Sequence, residues 1–253
     1  MQTHELLDRL EILNPTNSFF SDLRKIVLDD DKYALFRMIQ RYTDSQLVEG
    51  LRKLKDDETF VEDSFSRGQL ESKLWVIQEL KKLNVELGTV FLCAGWYATL
   101  ATMIFESGIA VNKIRSFDVD DSCRHVAEIF NKPWVLQDWR FKTATYNILD
   151  IDYDKFVYNV LRSNSTVCEL TDSPDTIINT SCEHIENFAD WYGKIPDGKL
   201  VVLQSNNYYE VEEHVNCVQG PMQFAEQSPM AECLYQGALE LPKYTRFMRI
   251  GRK

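Results

Sequence analysis

Two polar segments carry the side chains best suited to acid–base chemistry. The first is Asn-Thr-Ser-Cys-Glu-His at residues 179–184, and the second is Gln-Ser-Asn-Asn-Tyr-Tyr-Glu-Val-Glu-Glu-His at residues 204–214. Imidazoles and carboxylates exchange protons near neutral pH, whereas amides and phenols orient polar ligands. We therefore expect His184 and Glu183 to be the first candidates for catalytic base and substrate anchor, with His214 as the second.

The second segment also supplies candidate substrate contacts. Asn206, Tyr208 and Tyr209 could shape a pocket and exchange hydrogen bonds with a polar ligand. Core packing is the competing interpretation of the two tyrosines. We expect the two segments to meet, because ligands bind at the carboxyl ends of strands in open α/β sheets.

The same region contains a set of zinc-type ligands. Cys182 and His184 are separated by one residue, and His214 and Cys217 by two. Two thiols and two imidazoles are a ligand set of closed zinc sites, although the first spacing is shorter than usual. Our primary interpretation assigns no metal, and zinc bound by these four residues is the alternative.

A nucleotide-binding pattern lies in the uncharged run at residues 87–105. Residues 89–94 are predicted to form a buried strand that ends in a turn at Gly95, and residues 113–119 a second strand containing Asp118. A glycine turn lets a helix start face a ligand, and an acid about twenty residues later can bind ribose hydroxyls. The pattern predicts an adenosine-containing cofactor. A membrane span and an ordinary core strand and helix are two competing interpretations. A nicotinamide or flavin fold is the third, and the absence of G-x-G-x-x-G after β-strand residues 89–94 argues against it.

Strands and helices alternate along most of the chain. Further strands are predicted at residues 142–147, 175–181 and 199–206, and helices at residues 98–107, 122–131, 154–161 and 185–192. This alternation is typical of a parallel sheet covered by helices on both faces. The side chains of residues 232–241 and 244–252 alternate in character and predict an antiparallel hairpin.

Residues 1–65 are predicted to be a separate helical region through which a homodimer could form. The next helix, at residues 69–82, is preceded by the capping-box spacing of Ser66 and Gln69. The net charge of −11 over 253 residues argues against nucleic-acid and membrane partners. Six scattered cysteines and the lack of a signal-peptide pattern predict a protein of the reducing cytoplasm.

From about residue 66 onward, the element order resembles that of class I S-adenosylmethionine-dependent methyltransferases. The resemblance implies an α/β fold with a Rossmann-like, seven-stranded, mostly parallel sheet, a C-terminal antiparallel hairpin and an N-terminal helical cap. It also implies S-adenosylmethionine as the cofactor. In the family, the first strand ends in an acid and a G-x-G-x-G turn. Here Cys93 replaces the acid, and only the first glycine, Gly95, is present.

The resemblance assigns cofactor contacts residue by residue. Asp118 matches the acid that binds the ribose hydroxyls, and Val119 the apolar residue beside the adenine. Asn147 matches the position that meets the adenine amine, and Arg67 could pair with the methionine carboxylate. The full set of matched residues is Arg67, Ala94, Gly95, Trp96, Asp118, Val119, Asn147, Thr180 and Ser181.

Three functions are compatible with these features. The resemblance implies a methyltransferase that acts on a small polar molecule, including a basic one, at nitrogen or oxygen. A nicotianamine-synthase-like protein would instead transfer the aminocarboxypropyl group of the same cofactor. A non-catalytic methyltransferase-like binding module is the third interpretation, since the glycine turn is incomplete.

Overall fold

The computed structural model describes residue 23 and residues 45–54, 57–58, 60–162 and 164–253. The chain divides into two compact units, Met1–Asp57 and Glu58–Lys253. In the first unit, helix α1 is Gln46–Leu54. Most of the helical region predicted at residues 1–65 lies outside the described residues, and the homodimer predicted through it stays a prediction.

The described residues of the second unit form six α-helices and nine strands. The helices are α2 (Arg67–Leu83), α3 (Thr99–Glu106), α4 (Cys123–Phe130), α5 (Lys132–Leu136), α6 (Phe188–Lys194) and α7 (Pro221–Gln227). The strands are β1 (Thr89–Cys93), β2 (Lys113–Asp118), β3 (Phe141–Thr145), β4 (Phe156–Leu161), β5 (Val167–Asp172), β6 (Thr176–Asn179), β7 (Leu200–Asn206), β8 (Glu232–Glu240) and β9 (Thr245–Arg252). Short 3₁₀ helices lie at Glu62–Phe65, Ile148–Asp150 and Cys182–His184.

Seven of these strands form one sheet in the order β3-β2-β1-β6-β7-β9-β8. The first five of that order are parallel, and β9 is antiparallel to both of its neighbours. Strands β1, β6 and β7 are buried along their whole length, as expected of strands covered on both faces. The predicted α/β sheet with its C-terminal antiparallel hairpin is therefore confirmed.

The uncharged run at residues 87–105 is not a single helix. It forms β1, a loop at residues 94–98 and most of α3. Within the part of the chain that the structure describes, no helix has the length and apolar character needed to cross a membrane. The run instead places β1 between β2 and β6, in the middle of the sheet.

The helix predicted at residues 154–161 is wrong. The segment contains β4, which pairs antiparallel with β5 in a separate two-stranded sheet. Along β4 the side chains alternate between buried and largely exposed, which is the period of a strand rather than of a helix. Phe156 and Tyr158 both contact the ring of Phe117 in β2. Aromatic packing against the main sheet thus holds this strand in place.

The helix predicted at residues 69–82 is present as α2, but the capping box is not formed. The Ser66 side chain makes no capping hydrogen bond, although the Ser66 carbonyl accepts from the Leu70 N–H at 3.0 Å. Oε1 of Gln69 accepts instead from Nζ of Lys73 at 2.6 Å. Gln69 therefore stabilises a lysine within the helix rather than the start of the helix.

Candidate functional site

A cavity of about 1010 Å³ lies at the carboxyl ends of the parallel strands. Residues that follow β1, β2, β3, β6 and β7 all line it, as expected for the ligand site of an open α/β sheet. The structure brings most of the predicted site residues together here. Those that line the cavity are Ala94, Gly95, Trp96, Asp118, Val119, Asn147, Thr180, Ser181, Glu183, His184, Tyr208 and His214.

The loop after β1 adopts a left-handed backbone without using glycine for it. Ala94, Trp96 and Ala98 have φ angles of 51°, 49° and 49°. An L-residue enters this region at a cost of about 1–2 kcal/mol. Gly95 is required for a different reason, because a Cβ at this position would collide with Oγ of Ser116. The loop therefore makes a tight turn under Trp96 although two of the family's three glycines are absent.

Asp118 ties this loop to the end of β2. Its Oδ2 accepts from the backbone N–H of Trp96 at 2.8 Å, and its Oδ1 accepts from that of Asp120 at 3.1 Å. A carboxylate oxygen can accept more than one hydrogen bond, so Asp118 can still bind ligand hydroxyls. Val119 follows it and is 68% exposed, which gives the cavity an apolar surface beside the acid.

Cys93 stands at the family's acidic position, but it belongs to the core. Its side chain is fully buried, and its Sγ lies 3.5 Å from the Tyr153 hydroxyl. That hydroxyl donates to the Ile148 carbonyl at 2.9 Å and accepts from Nε1 of Trp191 at 2.6 Å. Burial raises the pKa of Cys93 to about 12. A charged group at this position would be costly in such surroundings.

Glu183 is a buried carboxylate in the 3₁₀ helix after β6. Only 2% of the residue is exposed. Its Oε1 accepts from Nδ2 of Asn206 at 2.7 Å and from Nη2 of Arg246 at 3.1 Å. Within the described part of the chain, its Oε2 is buried and has no hydrogen-bond partner. Buried carboxylate oxygens are normally paired, so Oε2 is the natural contact for a ligand in the cavity.

The imidazoles of His184 and His214 meet beside Glu183. Their ring centroids are 4.6 Å apart, and the rings are nearly perpendicular. Nδ1 of His184 lies 3.1 Å from the Glu213 carbonyl, and Nδ1 of His214 lies 2.7 Å from the Tyr208 carbonyl. A carbonyl can only accept, so each neutral ring carries its proton on Nδ1 and leaves the Nε2 lone pair available.

The surroundings of His184 favour its neutral form. Desolvation lowers the pKa of His184 below the ordinary value of 6.5, although the charge of Glu183 opposes this effect. The neighbouring His214 also lowers the pKa of His184. An imidazole with a lowered pKa is a proton acceptor at neutral pH.

Lys73 is a cavity residue that the sequence analysis missed. It lies in α2, is buried, and lines the cavity. Desolvation, followed by the nearby charge of Arg246, lowers the pKa of Lys73 to about 7, and Asp63 acts in the opposite direction. The available signal was its position on the apolar face of the helix, three residues after Leu70 and four before Ile77.

Arg246 is the second residue that was missed. It lies in β9 directly opposite Asn206 of β7, which brings its guanidinium to the carboxyl edge of the sheet. Nη1 donates to the Thr180 carbonyl at 2.8 Å, while Nη2 contacts Glu183. The sequence does not single out Arg246, because β9 also contains Arg249 and Arg252 and the register of β7 and β9 could not be predicted.

Three predicted site residues are placed differently. Asn206 is fully buried and contacts Glu183 rather than lining the cavity. Tyr209 is 59% exposed and is not part of the cavity lining. Arg67 begins α2, but its side chain lies outside the described part of the structure.

The alternative zinc site with two thiols is not formed. Cys182 is fully buried and donates to the Asn179 carbonyl at 3.5 Å. The thiol of Cys217 donates to Oδ1 of Asn206 at 3.4 Å. Glu183, not a cysteine, is the residue that joins the two histidines in a potential ligand cluster.

The sheet order, the antiparallel strand β9 and the cavity at the carboxyl edge define the fold of class I S-adenosylmethionine-dependent methyltransferases. No protein-family model matches the sequence, and a search of curated protein sequences gave no match. Solved structures of methyltransferases share the fold of this chain, although their sequence identity to it is low.

Two methyltransferases illustrate this similarity. The N-methyltransferase NodS from Bradyrhizobium japonicum WM9, in complex with S-adenosyl-L-homocysteine, is 11% identical to this chain. Its TM-score is 0.53, and the match covers 83% of this chain and 99% of that chain. Magnesium protoporphyrin IX methyltransferase (ChlM) from Synechocystis PCC 6803, also with bound S-adenosyl-L-homocysteine, is 11% identical. Its TM-score is 0.51, over 86% of this chain and 99% of that one.

Proposed function

We propose that this protein is an S-adenosylmethionine-dependent methyltransferase that acts on a small polar molecule at nitrogen or oxygen. The proposal depends on one observation: two sides of the same cavity are lined by residues of different chemistry. Asp118 and the loop at residues 94–98 suit an adenosyl group. Glu183, His184 and His214 suit a polar acceptor that must be oriented and deprotonated.

The residues near β1, β2 and β3 fit the cofactor. Asp118 has lone pairs left for the ribose hydroxyls, and the exposed Val119 offers an apolar contact for the adenine. Asn147 lies at the same edge, where its amide can contact the adenine amine. Lys73 is buried in the cavity wall and, in its protonated form, would pair with the methionine carboxylate. The volume of the cavity is sufficient for the cofactor and a small acceptor together.

The residues near β6 and β7 fit the acceptor. When bound, the cofactor supplies a methyl group on a positively charged sulfur. The protein then has to hold the acceptor atom in line and take up its proton. The unprotonated Nε2 of His184 can accept that proton, and Oε2 of Glu183 can hold an N–H or O–H of the acceptor. The net charge of −11 favours a neutral or basic acceptor.

We also propose residues 66–253 as the cofactor domain and a reducing compartment as its location. All six cysteines lie in the described part of the chain, and each is a free thiol. Free thiols are typical of proteins kept in the cytoplasm. The acidic surface makes nucleic acid and anionic membranes unfavourable partners.

Calorimetric titration with S-adenosylmethionine and S-adenosyl-L-homocysteine tests the cofactor assignment. Asp118→Ala removes the proposed ribose acceptor and should weaken binding by about tenfold to a hundredfold, since a hydrogen bond to a charged group contributes about 1.5–3 kcal/mol. Asp118→Asn keeps one acceptor oxygen and should have a smaller effect. Asp121→Ala is the matched control, because Asp121 is an exposed neighbour outside the cavity lining. Unchanged binding in Asp118→Ala would refute the assignment.

Mass spectrometry of the products tests the reaction. The protein would be incubated with methyl-labelled S-adenosylmethionine and pools of small amines, amino acids and phenols. A labelled product together with S-adenosyl-L-homocysteine supports methyl transfer. Methylthioadenosine as the by-product would identify aminocarboxypropyl transfer instead. Cofactor binding without turnover on any pool would favour a binding module.

A further inference from the structure

Glu183, His184 and His214 together have the geometry of a three-ligand metal site. One potential ligand atom from each residue lies within 4.8 Å of those from the other two. Ligand bonds of about 2.0–2.2 Å in a tetrahedral site place neighbouring ligand atoms about 3.5 Å apart. His184 is exposed and His214 is half-buried, so both rings can make the small movement that closes the site.

The hydrogen bonds of the two imidazoles are those expected of metal ligands. In each ring, Nδ1 donates to a backbone carbonyl of the segment after β7, which leaves Nε2 unprotonated. Histidines that bind metals almost always donate their other ring N–H in this way, because the bond sets both tautomer and ring direction. The segment is itself anchored, since the Tyr208 N–H donates to Oδ1 of Asn206 at 2.8 Å.

Glu183 is oriented in a comparable manner. Asn206 and Arg246 both bind its Oε1 and so fix the position of the carboxylate. Its Oε2 is buried without a partner among the described residues, which is costly for an ionised group. A cation at the cluster would supply the missing interaction. This unpartnered oxygen points to a ligand independently of the histidine geometry.

We propose that Glu183, His184 and His214 bind a first-row divalent transition-metal ion such as Zn²⁺. Two imidazoles and one carboxylate match the ligand preference of Zn²⁺, Co²⁺ and Fe²⁺, whereas Mg²⁺ and Ca²⁺ prefer sites made entirely of oxygen. Three protein ligands leave coordination positions open toward the cavity. If the proposed methyltransferase function holds, the bound ion would take the place of Nε2 of His184 and Oε2 of Glu183 as the group that contacts the acceptor. Its open positions would bind an acceptor that carries oxygen donors and would lower the pKa of a hydroxyl bound there.

Titration of the metal-free protein with Co²⁺ and Zn²⁺ tests this site. The protein would be treated with a chelator and desalted before use. Binding of Co²⁺ is followed by visible absorption, and Zn²⁺ by calorimetry and by displacement of Co²⁺. We expect one ion per chain, with Zn²⁺ displacing Co²⁺ and Mg²⁺ failing to do so. Lack of saturable binding, or binding of Mg²⁺ at the same positions, would overturn the proposal.

Four variants locate the site. His184→Ala and His214→Ala should each weaken Zn²⁺ binding at least about a hundredfold, because loss of a direct ligand exceeds the usual 10–100-fold effect of a supporting residue. His125→Ala removes the exposed histidine of α4 and should leave binding unchanged. Cys217→Ser removes a thiol of the alternative zinc ligand set and should also bind normally. Loss of binding in Cys217→Ser, or normal binding in His184→Ala, contradicts the assignment.

Circular dichroism and thermal melting show whether each variant is folded. Glu183→Gln also breaks the ion pair with Arg246, so its effect on metal binding is compared with those of the histidine variants. Titration of the same samples with S-adenosyl-L-homocysteine separates the two proposals. Metal binding without cofactor binding would refute the methyltransferase function alone. Cofactor binding without metal binding would refute the metal site alone.

Discussion

The side-chain amide of Asn206 donates to Oε1 of Glu183 over 2.7 Å, from the end of β7 to the segment after β6. Because β6 and β7 are neighbours in the sheet, this bond joins the two candidate segments, residues 179–184 and 204–214, which are separate in the sequence. Oδ1 of the same amide accepts from the Tyr208 N–H. Asn206 therefore acts as a positioning residue, since it fixes the carboxylate on one side and the segment carrying His214 on the other.

We expect Asn206→Ala to destabilise the protein by about 1–3 kcal/mol. The substitution leaves the buried hydrogen-bonding partners of Asn206 unsatisfied, and an unsatisfied buried polar group costs about 1–3 kcal/mol. Denaturant unfolding measures the change. Asn159→Ala is the control. Asn159 is exposed on β4, so this substitution should change the free energy of unfolding by no more than about 0.5 kcal/mol. Equal stability of the two variants would contradict the positioning role.

Gly95→Ala should destabilise the protein by about 1–3 kcal/mol through overpacking, since the new Cβ meets Oγ of Ser116. Ser116→Ala alone should be close to neutral, because this hydroxyl is buried without a hydrogen-bond partner among the described residues. The double variant should therefore recover part of the loss. A double-mutant cycle by denaturant unfolding measures this coupling, and strictly additive effects would show that the two positions do not collide.

Because Ala94 has a left-handed backbone and Ala101 is helical, we expect replacement of alanine by glycine to have opposite effects on stability at these two positions. Ala94→Gly should be neutral to stabilising by up to about 1 kcal/mol, because glycine enters the left-handed region without a steric penalty. Ala101→Gly, within α3, should destabilise by about 1 kcal/mol, since glycine is a poor helix former. Thermal and denaturant unfolding compare the two variants. A large loss of stability in Ala94→Gly would contradict the loop conformation.

The central part of the fold could be predicted because its signals are local. The continuous apolar run identified β1, and the spacing from Gly95 to Asp118 placed an acid at the end of the next strand. Since β1 and β2 pair in parallel, these two ends meet, and the Trp96 N–H reaches the Asp118 carboxylate. The alternating hairpin pattern likewise predicted β8 and β9.

The remaining features depend on contacts between distant residues. The sequence predicts a helix where β4 lies, because the alternation of this strand is short and the rings that stabilise it lie elsewhere in the chain. Arg246 reaches Glu183 only through the register of β7 and β9. The choice of Glu183 over a cysteine as partner of the histidines follows from side-chain direction, which residue spacing does not specify.

The cysteines should differ strongly in reactivity. Cys233 is exposed, whereas Cys93 and Cys182 are fully buried and burial raises the pKa of both thiols. Because the thiolate is the reactive form, iodoacetamide should label Cys233 first and the two buried residues only after unfolding. Peptide mass spectrometry over time measures each rate. Labelling of Cys93 as fast as Cys233 in the native protein would contradict its place in the core.

Lys73 should make stability depend on pH. Its folded pKa of about 7 lies below the ordinary 10.5. Between these values the unfolded chain holds a proton on Lys73 that the folded chain lacks. Lys73 therefore destabilises the fold by its full amount below about pH 7, and this cost falls as the pH rises from about 7 toward 10.5. Lys73→Met should therefore be more stable than the natural chain, with the largest gain at low pH. Lys81→Met, an exposed change on the same helix, should show no such pH dependence.

The same lysine should affect ligand binding in the opposite direction. A protonated Lys73, which faces Arg246, Asp63 and Gln69, would bind the methionine carboxylate of the cofactor. The affinity for S-adenosyl-L-homocysteine should then fall as pH rises above about 7, because the cation is lost. Lys73→Met should bind weakly at every pH despite its greater stability. A gain in stability with unchanged affinity would show that Lys73 has no role in the cofactor site, so calorimetry and unfolding on the same variant separate the two effects.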